Sequence, residues 1–171
     1  MDFLSFIVQL PNLPVDLINH VLYTIKIGLT SFAYPEIQGH SLDLLTTMAD
    51  AIIQDSDNRL HSLRELLVEP FGKLLFDVIV TLDLHMENKF DCYAAIYILC
   101  CASIDPNSNY FHETVRALDE RQKSRATYIS ADAPETEALK VFSFRHSREQ
   151  KLAFIDLFDK FILSICLFYQ D

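Results

Sequence analysis

Tryptophan is absent from the 171 residues, and glycine and proline are scarce, with three and six residues. So few turn residues disfavour an all-β protein. Three glycines could hardly build a phosphate-cradling loop, and the motifs GxxxxGK[ST], GxGxxG and GxSxG are missing. The sequence therefore offers no motif for nucleotide binding or for serine-hydrolase chemistry, and no catalytic residue or cofactor is predicted.

Positive charge is also scarce, because 14 Lys and Arg stand against 24 Asp and Glu, for a formal net charge of −10. An acidic chain is not expected to bind nucleic acid or an anionic membrane in a general way. Nine of the basic residues lie after residue 110. Four of them follow one another closely on a charged helix and its following loop: Arg116, Arg121, Lys123 and Arg125.

Long hydrophobic runs are missing as well. The run at the end of the chain, Phe161 to Tyr169, is interrupted only by Ser164, but nine helical residues cover about 13 Å, less than half of a bilayer core. No basic segment precedes an apolar stretch at the N-terminus, so neither membrane insertion nor a signal peptide is predicted. The four cysteines show no CxxC and no disulfide-framework spacing, which is typical of buried thiols in a reducing compartment: Cys92, Cys100, Cys101 and Cys166.

What the sequence does contain is helical periodicity, with apolar residues spaced three and four apart over most of its length. We predict helices at residues 14–31, 35–54, 61–85, 90–102, 110–123 and 134–142, and a last helix capped by Ser147. Pro70 should kink the third segment or divide it into two helices, because proline lacks the backbone donor. The first two apolar stripes are Val15, Ile18, Leu22, Ile25 and Leu29, and Ile37, Ser41, Leu44, Met48 and Ile52. In the last helix they are Leu152, Ile155, Phe158, Ile162, Ile165 and Tyr169, beside Phe154, Leu157, Phe161 and Phe168.

These seven or eight helices, joined by short loops, predict an all-α fold. Paired at roughly 40–45 residues, they match the dimensions of stacked two-helix repeats of the HEAT type, although an ordinary helical bundle would show a similar pattern. The chain starts on an apolar segment, DFLSFIVQL, that lacks a polar capping helix. We expect residues 1–171 to form a single C-terminal segment of a longer solenoid, the alternative being a short first helix folded onto its own bundle.

Histidine and cysteine spacings do not predict a metal site. The stretch HETVR at His112 begins like a zinc-protease helix, but Arg116 stands at the second ligand position. His85, Cys92 and Cys100 match no common zinc arrangement. The basic cluster Arg116, Arg121, Lys123 and Arg125 could contact an acidic partner; the simpler interpretation is a solvated face balanced by Glu113, Asp119 and Glu120.

Several segments, in order, resemble the C-terminal end of the importin-β-family export receptors, the exportins. They are GLTSF (28–32), SLDLLTTMADAI (41–52), GKLLFDVIV (72–80) and REQKLAFIDLFDKFI (148–162). In the last of these, Gln150 and Lys151 lead into Leu152, Ala153 and Phe154, similar to the closing helix of the family. Residues 117–144 match poorly.

The resemblance implies a HEAT-repeat α-solenoid that serves as a non-catalytic, Ran-GTP-dependent receptor. It implies protein cargo, Ran-GTP and nucleoporins as partners, and shuttling between nucleus and cytoplasm. The main Ran contacts of the family belong to more N-terminal repeats, so we expect them outside this chain.

Overall fold

The computed structural model describes residues 14–31, 33–57, 59–81, 84–103, 110–125 and 134–166, with the backbone alone for 122–125 and 166. In these ranges the regular secondary structure is helical, joined by turns and without a strand, which confirms the all-α prediction. The helices are α1 (Val15–Leu29), α2 (Pro35–Gln54), α3 (His61–Val80), α4 (Lys89–Ala102), α5 (Tyr110–Arg125), α6 (Pro134–Lys140) and α7 (Arg148–Cys166). A short 3₁₀ turn, Met86–Asn88, leads into α4.

The chain forms two compact units, Met1–Ser103 and Ile104–Asp171. The first contains α1 to α4 and the second α5 to α7. That residues 1–171 form a single repeat segment stays a prediction. The apolar opening segment and residues 167–171 lie outside the described part of the chain.

In the first unit, α1 and α2 form the antiparallel hairpin that their short connection predicts. Pro35 occupies the first turn of α2, where its missing N–H costs no intrahelical bond. The two helices approach closely at Gly28, where a Cβ atom would overlap Ser41 Oγ. Glycine is therefore required at this crossing for steric reasons, and the close approach brings the C-terminal end of α1 against the N-terminal end of α2.

The second hairpin, α3 and α4, packs against the first. Asp55 Oδ2 accepts a hydrogen bond of 2.6 Å from the Leu60 N–H and so closes the α2–α3 turn. The most extensive contact between helices of this unit joins α2 to α4, and α1 also contacts α3. Helix α4 is the partner of α3 and is buried around most of its circumference.

Two contacts show that α2 and α4 run parallel. At their N-terminal ends, Asn88 Nδ2 donates to Gln38 Oε1 at 3.1 Å. Near their C-terminal ends, Cys101 of α4 lies close to the carboxylate of Asp50 of α2. Burial raises the pKa of the Cys101 thiol to about 11, a hydrogen bond with Tyr97 lowers it, and the charge of Asp50 adds to the rise. The helices therefore lie side by side with matching ends.

The predicted third helix is corrected in its division and in its end. A single helix, His61–Val80, runs through Pro70, so the division into two helices is wrong, and it ends before residue 85. A kink at Pro70 stays a prediction. Pro70 and Leu66, whose carbonyl loses its helical donor, are both exposed. The lost bond can be replaced by water at this surface, which explains why the helix need not divide.

The predicted stripes of α1 and α2 are only partly correct. Leu22, Ile25 and Leu29 are buried as predicted, but Val15 is 64% exposed and Ile37 48% exposed. In α2 the buried side is instead Gln38, Ser41, Leu42, Leu45, Met48, Ala49 and Ile52. Partners on two sides, α1 and α4, widen and rotate the buried arc of α2 beyond a single 3–4 stripe.

The second unit is organised by phenylalanine. Phe111 of α5 lies with its ring centroid 5.4 Å from Phe154 and 5.8 Å from Phe158, and Phe154 stacks on Phe158 at 5.2 Å. Phe144, between α6 and α7, contacts the Phe111 ring at 5.1 Å. These rings form an aromatic core, as the helix stripes predicted.

Ser147 caps α7 as predicted, since its Oγ accepts from the Gln150 N–H at 3.2 Å. Leu152, a member of the predicted stripe of the last helix, is wrong as a core residue, being 60% exposed. The helix predicted over 134–142 ends earlier, at Lys140, so Val141 lies beyond it and is 78% exposed. The buried side of α7 is Phe154, Phe158, Phe161, Ile162 and Ile165. None of the helices in the described ranges has the length and apolar character required to cross a bilayer.

Candidate functional site

The predicted basic cluster lies on α5, but the helix spreads it over two faces. Arg116 and Arg121 are exposed, whereas only the backbone is described for Lys123 and Arg125. At about 100° per residue, positions 116 and 123 share one side of α5 and positions 121 and 125 share another. The four residues therefore do not make one continuous patch through helical geometry alone.

Asp119, one of the carboxylates expected to balance this cluster in solvent, is instead buried. Its Oδ2 lies 2.6 Å from Lys140 Nζ, and the same ammonium lies 2.6 Å from Glu137 Oε1. The hydrogen bonds that Lys140 Nζ donates to Asp119 and then to Glu137 raise the pKa of Lys140. The ion pair joins α5 to α6. Sequence spacing gave no sign of it, because 21 residues separate its partners.

His112 lies in the aromatic core. Its Nε2 lies 2.9 Å from the Phe142 carbonyl oxygen, and its ring contacts Phe111 and Phe144 edge-on or tilted at 5.8 Å. No group of three or more His, Cys, Asp or Glu side chains in the described part of the chain is arranged to hold a metal ion. His112 thus acts as a packed core residue that joins α5 to the segment after α6.

The thiols of α4 are buried or half-buried. Burial, and secondarily the charge of Asp91, raises the pKa of Cys92 well above the ordinary thiol value. Cys100 is fully buried and Cys101 half-buried. A thiol must ionise to act as a nucleophile or metal ligand. Cys92 and Cys101 therefore stay protonated at neutral pH.

The most distinctive surface lies on the first hairpin, on the side that faces neither α3 nor α4. Gly28 faces α2, whereas Lys26 lines a groove of about 230 Å³ together with residues of α3. Ile27 lies between Lys26 and Gly28 in the chain and points about 100° away from each of them, so it faces neither α2 nor α3. Leu17, three turns before Gly28, lies on the same side of α1 as Gly28. This α1–α2 face also contains two residues of α2, and its apolar members are Leu17, Ile27, Ile37 and Leu44.

The apolar members of the α1–α2 face are only partly covered. Leu17 is 45% exposed, Ile27 and Ile37 are each 48% exposed, and Leu44 is half-buried. Tyr23 and Tyr34, beside them, are 65% and 62% exposed. Partly exposed apolar side chains that share one side of a helical hairpin make that side a candidate interaction site. Sequence analysis placed Ile37 and Leu44 in a core stripe and so missed this surface.

Carboxylates border the α1–α2 face. Glu36 and Asp43, seven residues apart on α2, are exposed on the side of that helix adjoining the face, and Asp16 is exposed on α1. Helix α2 contains no Lys or Arg. The α1–α2 face therefore combines partly exposed apolar side chains with an acidic border.

The chain matches no protein-family model and no solved structure. Its resemblance to the exportins consequently rests on the sequence motifs alone.

Proposed function

We propose that the chain is a HEAT-like α-solenoid segment of an importin-β-family export receptor. It would serve as a non-catalytic scaffold in Ran-GTP-dependent transport of protein from nucleus to cytoplasm. Within the family the motifs are most similar to exportin-4, with exportin-7 as the second choice. Its partners in the complete receptor would be cargo protein, Ran-GTP and nucleoporins, and it would shuttle through the nuclear pore.

The packing of the first unit is the observation that carries the scaffold proposal. In an up-and-down four-helix bundle, α1 packs beside α4, and α2 lies diagonally across from α4. Here α2 and α4 make the most extensive contact, α1 contacts α3, and the described residues of α1 and α4 make at most marginal contact. Stacked repeats have this arrangement, because each helix contacts its counterpart in the next repeat.

The proposal is tested with the longest natural protein that contains this chain, as bait in nuclear extract with and without Ran loaded with non-hydrolysable GTP. Retention of Ran and of cargo proteins that depends on Ran-GTP is the expected result. Retention of neither would contradict an export function. The 171-residue chain alone is expected to bind little or no Ran, and tight stoichiometric binding would contradict the placement of the Ran contacts in other repeats.

The alternative is a HEAT-like protein-interaction scaffold unrelated to nuclear transport. The same packing supports it equally well, because stacked helices provide extended surfaces whatever their partners. The pull-down separates the two, since such a scaffold would retain partners that are indifferent to Ran-GTP.

A further inference from the structure

We propose that the α1–α2 face binds an amphipathic α-helix whose apolar stripe is flanked by Lys and Arg side chains. The inference requires only the first hairpin and does not depend on transport function or on Ran. A helix contributed by a partner protein would lie along the α1–α2 face, with its apolar side on Leu17, Ile27, Ile37 and Leu44.

The shape of the face favours a helix. The helices α1 and α2 pack closely at Gly28, and a third helix can lay its apolar side along two adjacent antiparallel helices. Leu17 and Ile27 are ten residues apart on α1, about 15 Å along the helix. Ile37 and Leu44 are seven residues apart on α2, about 10 Å. These distances correspond to two or three turns of a bound helix.

The negative charge at the border of the α1–α2 face favours a bound helix with basic side chains. The exposed border contains Asp16, Glu36 and Asp43, and no Lys or Arg of α2 offsets them. Lys26, the only basic residue of α1, lines the groove next to Phe71 and Asp77 of α3 instead. Lys and Arg side chains that flank the apolar stripe of a bound helix would therefore lie next to negative charge along α2.

The same argument disfavours two other occupants. A second copy of the chain would bring the same three carboxylates into opposition, and like charges across an interface are unfavourable. The chain's own first 13 residues are apolar but carry Asp2 and no Lys or Arg. Neither supplies the positive charge that the border lacks.

The test uses the full chain and two fluorescein-labelled helical peptides of about 18 residues, or five turns. Both carry the same leucine stripe, flanked by lysine in one and by glutamate in the other. Fluorescence anisotropy is expected to show that the lysine peptide binds at least about tenfold more tightly, and that raising the salt concentration narrows the difference. This comparison needs no variant of the protein. Equal affinities for the two peptides would overturn the proposal.

Variants then locate the site. Glu36→Gln with Asp43→Asn should weaken the lysine peptide about tenfold, whereas the matched pair Glu65→Gln with Glu87→Gln, exposed elsewhere on the same unit, should not. Leu17→Ser should weaken both peptides, and Leu66→Ser, of similar exposure on α3, should not. Equal effects of site and control variants would place binding elsewhere and overturn the assignment.

Two further results would assign the face to another occupant. Sedimentation that shows a dimer dissociated by Leu17→Ser would identify a second copy. Lysine-peptide binding that occurs only after Phe6→Ser and Ile7→Ser would identify the chain's own first segment. Either result would overturn the proposal, and neither bears on the Ran-dependent pull-down.

Discussion

Gln38 connects three elements of the first unit through one buried amide. Its Nε2 donates to the Leu29 carbonyl at the end of α1 at 3.0 Å. Its Oε1 accepts from the His85 N–H at 3.0 Å and from Asn88 Nδ2 at 3.1 Å. Asn88 Nδ2 also donates to the Pro35 carbonyl at 2.8 Å. The side chain of Gln38 is fully buried, so these hydrogen bonds form away from water.

We expect Gln38→Ala to lower the free energy of unfolding by about 2–3 kcal/mol, because buried backbone groups lose their partners and a cavity opens. The control is Gln54→Ala, the same change at an exposed position of the same helix. It should cost at most about 0.5 kcal/mol. Urea denaturation measures both. A loss for Gln38→Ala no larger than that of the control would show that the network does not hold the elements together.

Lys140 has a comparable role in the second unit. Its side chain and that of Asp119 are largely buried, at 17% and 10% exposure. A buried charge that loses its partner is far more costly than a matched apolar pair.

Lys140→Met should therefore destabilise the second unit by about 3 kcal/mol, and Asp119→Leu added to it should restore most of the loss. Lys160→Met, which breaks the exposed pair with Asp156, is the control and should have little effect. Thermal denaturation of the four proteins checks this. If the double variant were as unstable as Lys140→Met alone, an unpaired Asp119 would not be the cause.

The raised pKa of Lys140 also sets a pH dependence. Because its pKa in the folded state exceeds the ordinary value of 10.5, the ion pair contributes fully below pH 10.5. The contribution is lost as the pH rises through the folded value. Stability measured from pH 8 to 12 should fall more steeply in the wild type than in Lys140→Met. Parallel curves would contradict the assignment.

At the scale of the element, α3 shows what apolar periodicity predicts and what it does not. Helix existence, type and most boundaries follow from apolar spacing and from Pro14, Pro35 and Ser147. Whether the helix continues through Pro70 does not follow from the apolar spacing, because it depends on whether solvent can reach the carbonyl of residue 66.

Since α3 is continuous through an exposed Pro70, Pro70→Ala should restore a helical donor and stabilise the protein. The expected gain is about 1–3 kcal/mol, measured by urea denaturation. Ser62→Ala at another exposed position of α3 controls for the gain in helix propensity alone. A net destabilisation by Pro70→Ala would show that the helix needs the proline geometry, as the sequence first indicated.

Which side of a helix is buried was harder to predict than the helix itself. The predicted stripe of α2 includes Ile37 and Leu44, yet both lie towards the α1–α2 face. Gln38 is polar and was not counted, although it is the most interior residue of its turn. A binary apolar pattern cannot detect an amide that is buried because its hydrogen bonds are satisfied by other segments.

At the scale of the whole molecule, the sequence predicts the all-helical class and the short-loop hairpins. It does not predict the Asp119–Lys140 ion pair, because the two residues are distant in the chain and each resembles a surface charge. It also left stack and bundle open, since both require the same local pattern. Only contacts between helices far apart in sequence separate these two architectures.

The stacking of the two hairpins is the claim on which the proposed scaffold function depends, and intramolecular cross-linking tests it most directly. A Cβ at Gly39 would lie 3.8 Å from Asn88 Cγ, so the pair Gly39→Cys with Asn88→Cys should join on mild oxidation. Mass spectrometry of the digested protein should recover the peptides of α2 and α4 as one linked species. Ile25→Cys with Asn88→Cys, the α1–α4 pairing of an up-and-down bundle, should not link. The reverse outcome would contradict the stacked arrangement.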